Sequence, residues 1–168
     1  GGTTIGASGF TSPSLASTLV GAGNRVKTGA GRLILSGNNS GWSGDAEVKA
    51  GSLRIIGANA LGDSSMATRV DSGASLEISG DISVDEPITL AGGTLVNWSG
   101  DNTLAKKVKL IGSSTIDLRQ DSLTLNPSSG NALAVDVANS AYNSDLLIIG
   151  DGNLDARDPI NLKDGQSS

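Results

Sequence analysis

Residues 29–57 read GAGRLILSGNNSGWSGDAEVKAGSLRIIG. Three short segments in this stretch alternate apolar and polar side chains: Arg32-Leu33-Ile34-Leu35, Ala46-Glu47-Val48-Lys49 and Ser52-Leu53-Arg54-Ile55-Ile56. Successive side chains of a strand point to opposite faces, so alternation is the signature of a strand with one buried side. Asn38-Asn39 and the glycines around them tolerate left-handed backbone and mark turns. Leu33 and Leu53 stand 20 residues apart in one local pattern, Gly-x-Leu-x-apolar. A period near 20 residues is the length of one solenoid coil.

The same spacing continues through the chain. Leu33 to Leu53 is a step of 20, Leu53 to Leu76 of 23, Leu76 to Leu95 of 19, Leu95 to Ile116 of 21 and Leu125 to Leu146 of 21. About three short strands fit into each step. This predicts an all-β, right-handed parallel β-helix, with coils about 4.8 Å apart and insertions tolerated only at corners. A single coil buries about six aliphatic side chains at about 2 kcal/mol each. Ordering its ~20 residues costs more than that. Coils are therefore stable only when stacked on neighbours. Three regions are expected: an irregular first coil or cap over 1–23, a repeat β-helix over 24–139, and C-terminal coils over 140–168. Asn38, Asn59, Asn97, Asn102 and Asn126 are expected to stack in part as a corner ladder.

Composition agrees with a thin stacked core. The 168 residues include 24 glycines but one Phe, one Tyr and two Trp, too few aromatics for an ordinary globular centre. The net charge of −5 argues against nucleic acid and anionic membrane surfaces as partners. Zero cysteines and zero histidines remove disulfides, thiolate metal sites, Ser-His-Asp chemistry and the usual base near neutral pH. No apolar run reaches the length of a membrane-spanning helix. The first residue is Gly1 rather than Met, which is expected of a piece of a longer protein.

The stretch from Gly29 to Ser65 resembles the passenger-associated repeat of bacterial autotransporters. The matching features are the opening Gly29-x-Gly31-x-Leu33-x-Leu35-Ser36-Gly37-Asn38-Asn39, the middle Val48-x-Ala50-Gly51-x-Leu53 and the close Asn59-Ala60-Leu61-Gly62. Val70 to Leu76, Pro87 to Leu95 and Gly112 to Asp117 are similar to later parts of the same family. Residues 140–154 are similar to the segment that precedes its autochaperone region. The resemblance implies a passenger on the surface of a Gram-negative bacterium or released from it, exported through a C-terminal outer-membrane β-barrel of the same polypeptide. It implies a stalk or scaffold whose stepwise folding assists export, with no catalytic residues and no cofactor. The alternatives are an adhesin for glycans or matrix proteins and, less favoured, a polysaccharide lyase. Open coil ends also allow end-to-end or side-by-side self-association.

Candidate site residues follow from chemistry. Trp42 and Trp98 lie beside Gly and Ser at corners, where a ring either stacks on a sugar or covers the aliphatic edge of a neighbouring coil. Asp151, Asn153, Asp155 and Asp158, with Asp145, put oxygen ligands into one short segment, as calcium requires, although the spacing matches no calcium loop. A polar turn between strands is the favoured explanation, since Asp, Asn and Gly are expected there anyway. Asp81, Asp85 and Glu86 near Arg69 form an acidic group of the kind a lyase or glycosidase uses, or else a solvated corner. Lys106, Lys107 and Lys109 read as a solvated basic run.

Overall fold

A computed structural model describes residues 2–9, 12–126, 133–135 and 146–156. These residues form twenty short strands and no helix. The first coil holds β1 (Thr3–Gly6), β2 (Ser14–Leu15) and β3 (Gly21–Ala22). The second holds β4 (Arg25–Thr28), β5 (Arg32–Leu35) and β6 (Trp42–Ser43). The third has only β7 (Ala46–Val48) and β8 (Gly51–Ile55). The fourth has β9 (Thr68–Asp71), β10 (Ala74–Ser79) and β11 (Ser83–Val84). The fifth has β12 (Ile88–Ala91), β13 (Thr94–Ser99) and β14 (Asn102–Leu104). The sixth has β15 (Val108–Gly112), β16 (Ser114–Leu118) and β17 (Ser122–Leu125). The last has β18 (Leu133–Val135), β19 (Leu146–Gly150) and β20 (Asn153–Ala156).

The coils stack into a parallel β-solenoid. One sheet runs β1-β4-β7-β9-β12-β15-β18 and a second runs β2-β5-β8-β10-β13-β16-β19. The third side carries β11-β14-β17-β20 towards one end and β3-β6 towards the other. Between those two, the third coil closes without a strand. Its motif Asn59-Ala60-Leu61-Gly62 folds as a turn that buries Ala60 and Leu61 in the core. The backbone there bonds to the coil below, Asn39 N–H donating to Asn59 O at 3.0 Å and Asp63 N–H to Trp42 O at 2.9 Å.

The strand register is the one the leucine spacing predicts. Leu33 pairs with Leu53, Leu53 with Leu76, Leu76 with Leu95 and Leu95 with Ile116. All five are buried. The column continues to Ile148, which is exposed in the last coil. One expected step is different. Leu125 pairs with Ala156, and Leu146 pairs with Ser114. The last coil is longer than the rest because extra residues enter between β17 and β18 and between β18 and β19.

Gly51 shows why the repeat needs glycine at the entrance to a strand. Its φ is +64°, and a Cβ there would collide with the backbone oxygens of Gly31 and Gly29 in the coil below. The expected asparagine ladder does not form. Asn38, Asn59 and Asn126 are exposed, while Asn97 and Asn102 are buried. Asn102 Nδ2 donates to Asn97 Oδ1 at 2.8 Å, and Asn97 Nδ2 donates to Gln120 O at 2.7 Å. These two satisfy the carbonyls of a corner rather than stacking on like residues. Asn39, one residue from the expected position, is the buried one in its coil. Its Nδ2 donates to Ala60 O at 2.7 Å, and its Oδ1 accepts from Leu19 N–H at 2.8 Å, so it ties three coils together.

Leu76 sits in the middle of the inward column, with Leu53 below and Leu95 above. Leu76→Ala is expected to cost about 2–5 kcal/mol. Ser75→Ala, on the outward side of the same strand, is expected to change stability by about 0.5 kcal/mol or less. Urea denaturation of the two variants checks the difference.

Candidate binding surfaces

The first unusual site lies where the inward column reaches the N-terminal coils. Arg25 pairs with Ala46, Ala46 with Thr68 and Thr68 with Ile88, so Arg25 occupies a core-facing position. It is only 6% exposed. The small Ala46 leaves room for the long side chain to pass. Its guanidinium lies over the Trp42 ring, 3.9 Å from the centroid. Such a stack contributes about 0.5–2 kcal/mol. Trp42 is 8% exposed. Its ring is therefore enclosed, and among the described residues its Nε1 donor has no hydrogen-bond partner.

Glu86, 3% exposed, faces the same region. Its Oε1 accepts from Thr68 Oγ1 at 2.6 Å. Among the described residues its Oε2 has no hydrogen-bond partner, nor do Nε and Nη2 of Arg25. Burial pushes the Glu86 carboxyl up to about 7, against the Thr68 hydrogen bond and the Arg25 charge, and Asp45 and Asp63 add to the rise. Burial also lowers the Arg25 pKa, with Glu86 opposing. Lys27, two residues along β4, is 4% exposed and also faces inward. Its Nζ donates to Thr28 O at 2.9 Å, Gly29 O at 2.8 Å and Ala50 O at 2.9 Å. Burial pulls its pKa below the usual lysine value. Sequence alternation hid these two residues because Val26 between them looks like the core side chain. The step of 21 back from Val48 lands on Lys27 and was the available signal.

The acidic group predicted around Glu86 does not converge with its partners. Asp81 sits at a corner with φ +58°, and its Oδ1 accepts from Asp101 N–H at 2.8 Å. Asp85 is exposed, with Lys106 Nζ 3.4 Å away. Arg69 pairs with Asp71 at 2.7 Å on the outward side of another sheet. Asp85 and Glu86 do share a hollow of about 240 Å³ with Ser40, Asn59, Asp63 and Ser64. Alternation could not separate these residues, because they lie close in sequence yet on different sides of a corner.

The second site is on the outer side of the sheet that carries the leucine column. Trp98 is half-buried at a bulge, where the β10–β13 register shifts between Ile78 and Ser79. Three guanidinium groups surround its ring, Arg54 at 3.8 Å, Arg119 at 4.6 Å and Arg32 at 4.8 Å from the centroid. Glu77 is buried beneath them. Its Oε2 accepts from Arg54 Nε at 2.7 Å and its Oε1 from Arg32 Nη2 at 3.1 Å. Burial raises the Glu77 pKa, but the hydrogen bonds and charges of Arg32 and Arg54 outweigh it and leave the carboxyl below its usual range. Arg119 is anchored by Asp117 at 2.9 Å.

The proposed metal ligands are spread along the last strand. Asn153 and Asp155 alternate with Leu154 in β20, Asp151 precedes it, and Asp145 and Asp158 lie outside the described residues. Among the described residues no group of three or more acidic side chains is gathered closely enough to hold a metal. No described helix is long and apolar enough to cross a membrane.

Residues 26–55 match the family model described as passenger-associated-transport-repeat. The match runs from β4 through β8 and includes the strands whose alternation first revealed the coil. Among curated proteins and solved structures, nothing matches the chain. Repeat and solenoid together fit an autotransporter passenger scaffold.

The Glu86 carboxyl gives a pH test. Its pKa is raised in the folded protein above the unfolded value, so it contributes stability that is complete below about 4.5 and lost as pH rises through about 7. The loss is on the order of 3 kcal/mol. Urea denaturation from pH 4 to 9 is expected to show this decline, and Glu86→Gln is expected to flatten it.

Proposed function

We propose, from the premise that residues 26–55 are an autotransporter passenger repeat, that the chain is a stalk segment of a secreted passenger. It acts as a rigid spacer at the surface of a Gram-negative bacterium, or released from it. Its partner in export is the C-terminal outer-membrane β-barrel of the same polypeptide. The observation that carries this reading is the inward column from Leu33 to Ile116, in which each coil buries its apolar side chains against the coils next to it. A coil arriving alone gains too little burial to fold. A coil arriving on a folded neighbour gains both a hydrogen-bond ladder and an apolar surface. Stepwise stacking outside the membrane then opposes backward sliding through the barrel.

The reading assigns no catalysis to this segment. Arg32 and Arg54 are engaged with Glu77, and the Arg25 guanidinium with the Trp42 ring. An adhesin is the second reading, and the half-buried Trp98 with its three arginines is the surface that favours it over the enclosed Trp42. Arrays of glycans and matrix proteins, with Trp98→Ala on any hit, separate the two: a stalk binds nothing, and an adhesin loses its hit on substitution.

Surface display tests the stalk directly. With the chain fused upstream of an autotransporter barrel, deletion of residues 68–87 joins Ala67 to Ile88 and places Ile88 over Ala46, where Thr68 stood. This deletion is expected to remain folded and to be displayed. Leu76→Asp, which puts a charge into the buried column, is expected to reduce display severely. Equal display of Leu76→Asp and the unaltered chain would overturn the role of folding in export.

A further inference from the structure

In a solenoid each repeat ordinarily contacts only its neighbours. The outer face around Trp98 departs from this. Arg32 belongs to the second coil, Arg54 to the third, Glu77 to the fourth, Trp98 to the fifth and Arg119 to the sixth. Arg32 donates to Glu77, two coils away, at 3.1 Å, and its guanidinium lies 4.8 Å from the centre of the Trp98 ring, three coils away. Three strand spacings are about 14 Å, beyond the reach of the backbone ladder or of the inward leucines. Arg54 likewise skips a coil to stack on Trp98 at 3.8 Å, while donating to Glu77 in the adjacent one.

Two further features belong to this arrangement. The bulge leaves Trp98 without an opposing residue in β10, since Asn97 pairs with Ile78 and Ser99 with Ser79. Bulges re-aim side chains, and this one sets the ring into the path of the arginines. Val96 lies in the outward column between Glu77 and Asp117, yet it is only 3% exposed. The outer side of the sheet is therefore covered at this point by the side chains that cross it.

We propose that Trp98, Glu77, Arg54, Arg32 and Arg119 form an external brace that joins the second to sixth coils into one cooperative unit. Without it, opening proceeds coil by coil from the ends. With it, the second and third coils open only when the Trp98 ring and the Glu77 carboxylate release their arginines. The brace does not depend on the stalk reading and holds for any function of the rod.

Native-state hydrogen exchange on the purified chain tests this. Trp98→Leu keeps an apolar side chain on the bulge. It is expected to lower protection about tenfold at residues 32–35 and 51–55, three and two coils from the change, as well as in the adjacent β10 and β16. Loss confined to β10 and β16 would overturn the brace, since that is the result for a chain of nearest-neighbour contacts. Arg32→Met cuts only the longest arm from a partly exposed position. It is expected to lower protection in β13, three coils away, and an unchanged β13 would likewise overturn the proposal. Should Trp98→Leu unfold the chain, the Arg32→Met result decides alone.

Discussion

Every coil has to place an aliphatic side chain directly above one from the coil before. The parallel ladder fixes coils at about 4.8 Å, close to the van der Waals thickness of a stacked leucine or isoleucine, so the inward column packs without gaps. Leu33, Leu53, Leu76, Leu95 and Ile116 satisfy that requirement in consecutive coils. The rest follows from it. Corners must be narrow, hence Gly51 with its positive φ against the backbone of the coil below. Buried corner carbonyls need donors, hence Asn97 and Asn102.

Polar side chains also stand at inward positions of the second coil, at Arg25 and Lys27. Lys27 stands in the position that Val48 and Val70 occupy in the next two coils. A lysine there covers the core with its methylene chain, while its ammonium group satisfies three carbonyls. Arg25 occupies the neighbouring column, where its guanidinium stacks on the Trp42 ring instead of capping carbonyls. Glu86 completes this group at a cost, because a carboxylate out of water with one oxygen unpartnered is held close to its neutral form.

The inward leucines were legible in the sequence because alternation and a near-constant step report the same quantity twice. Four of the steps read from spacing are real register pairs. The fifth, Leu125 to Leu146, had the right length but the wrong partner, since spacing alone cannot distinguish a coil from a coil with two insertions. Arg25 and Lys27 were illegible for a different reason. Alternation assigns the apolar residue to the core, and Val26 is the apolar one in that strand. Only alignment against Val48 reverses the assignment. Trp98 was legible as a candidate residue but not as a junction, because its arginines come from positions 32, 54 and 119. Positions 32, 54, 77, 98 and 119 step by 22, 23, 21 and 21, the coil period itself, but the pattern of apolar residues does not report charged ones.

Inside and outside of the rod therefore carry different kinds of information. The inward contacts are generic, since any leucine stacks on any other, and a register slip by a whole coil would cost the column little. The outer contacts are particular. Glu77 is charged and buried, so a slip that removed its arginines would leave an unpaired carboxylate in a desolvated place, a large penalty. Arg32 and Arg54 fit only one order of coils below Trp98. The stacked aliphatics supply the stability that repetition allows, and the charged side chains on the outer face penalise the misregistered rods that repetition alone would tolerate.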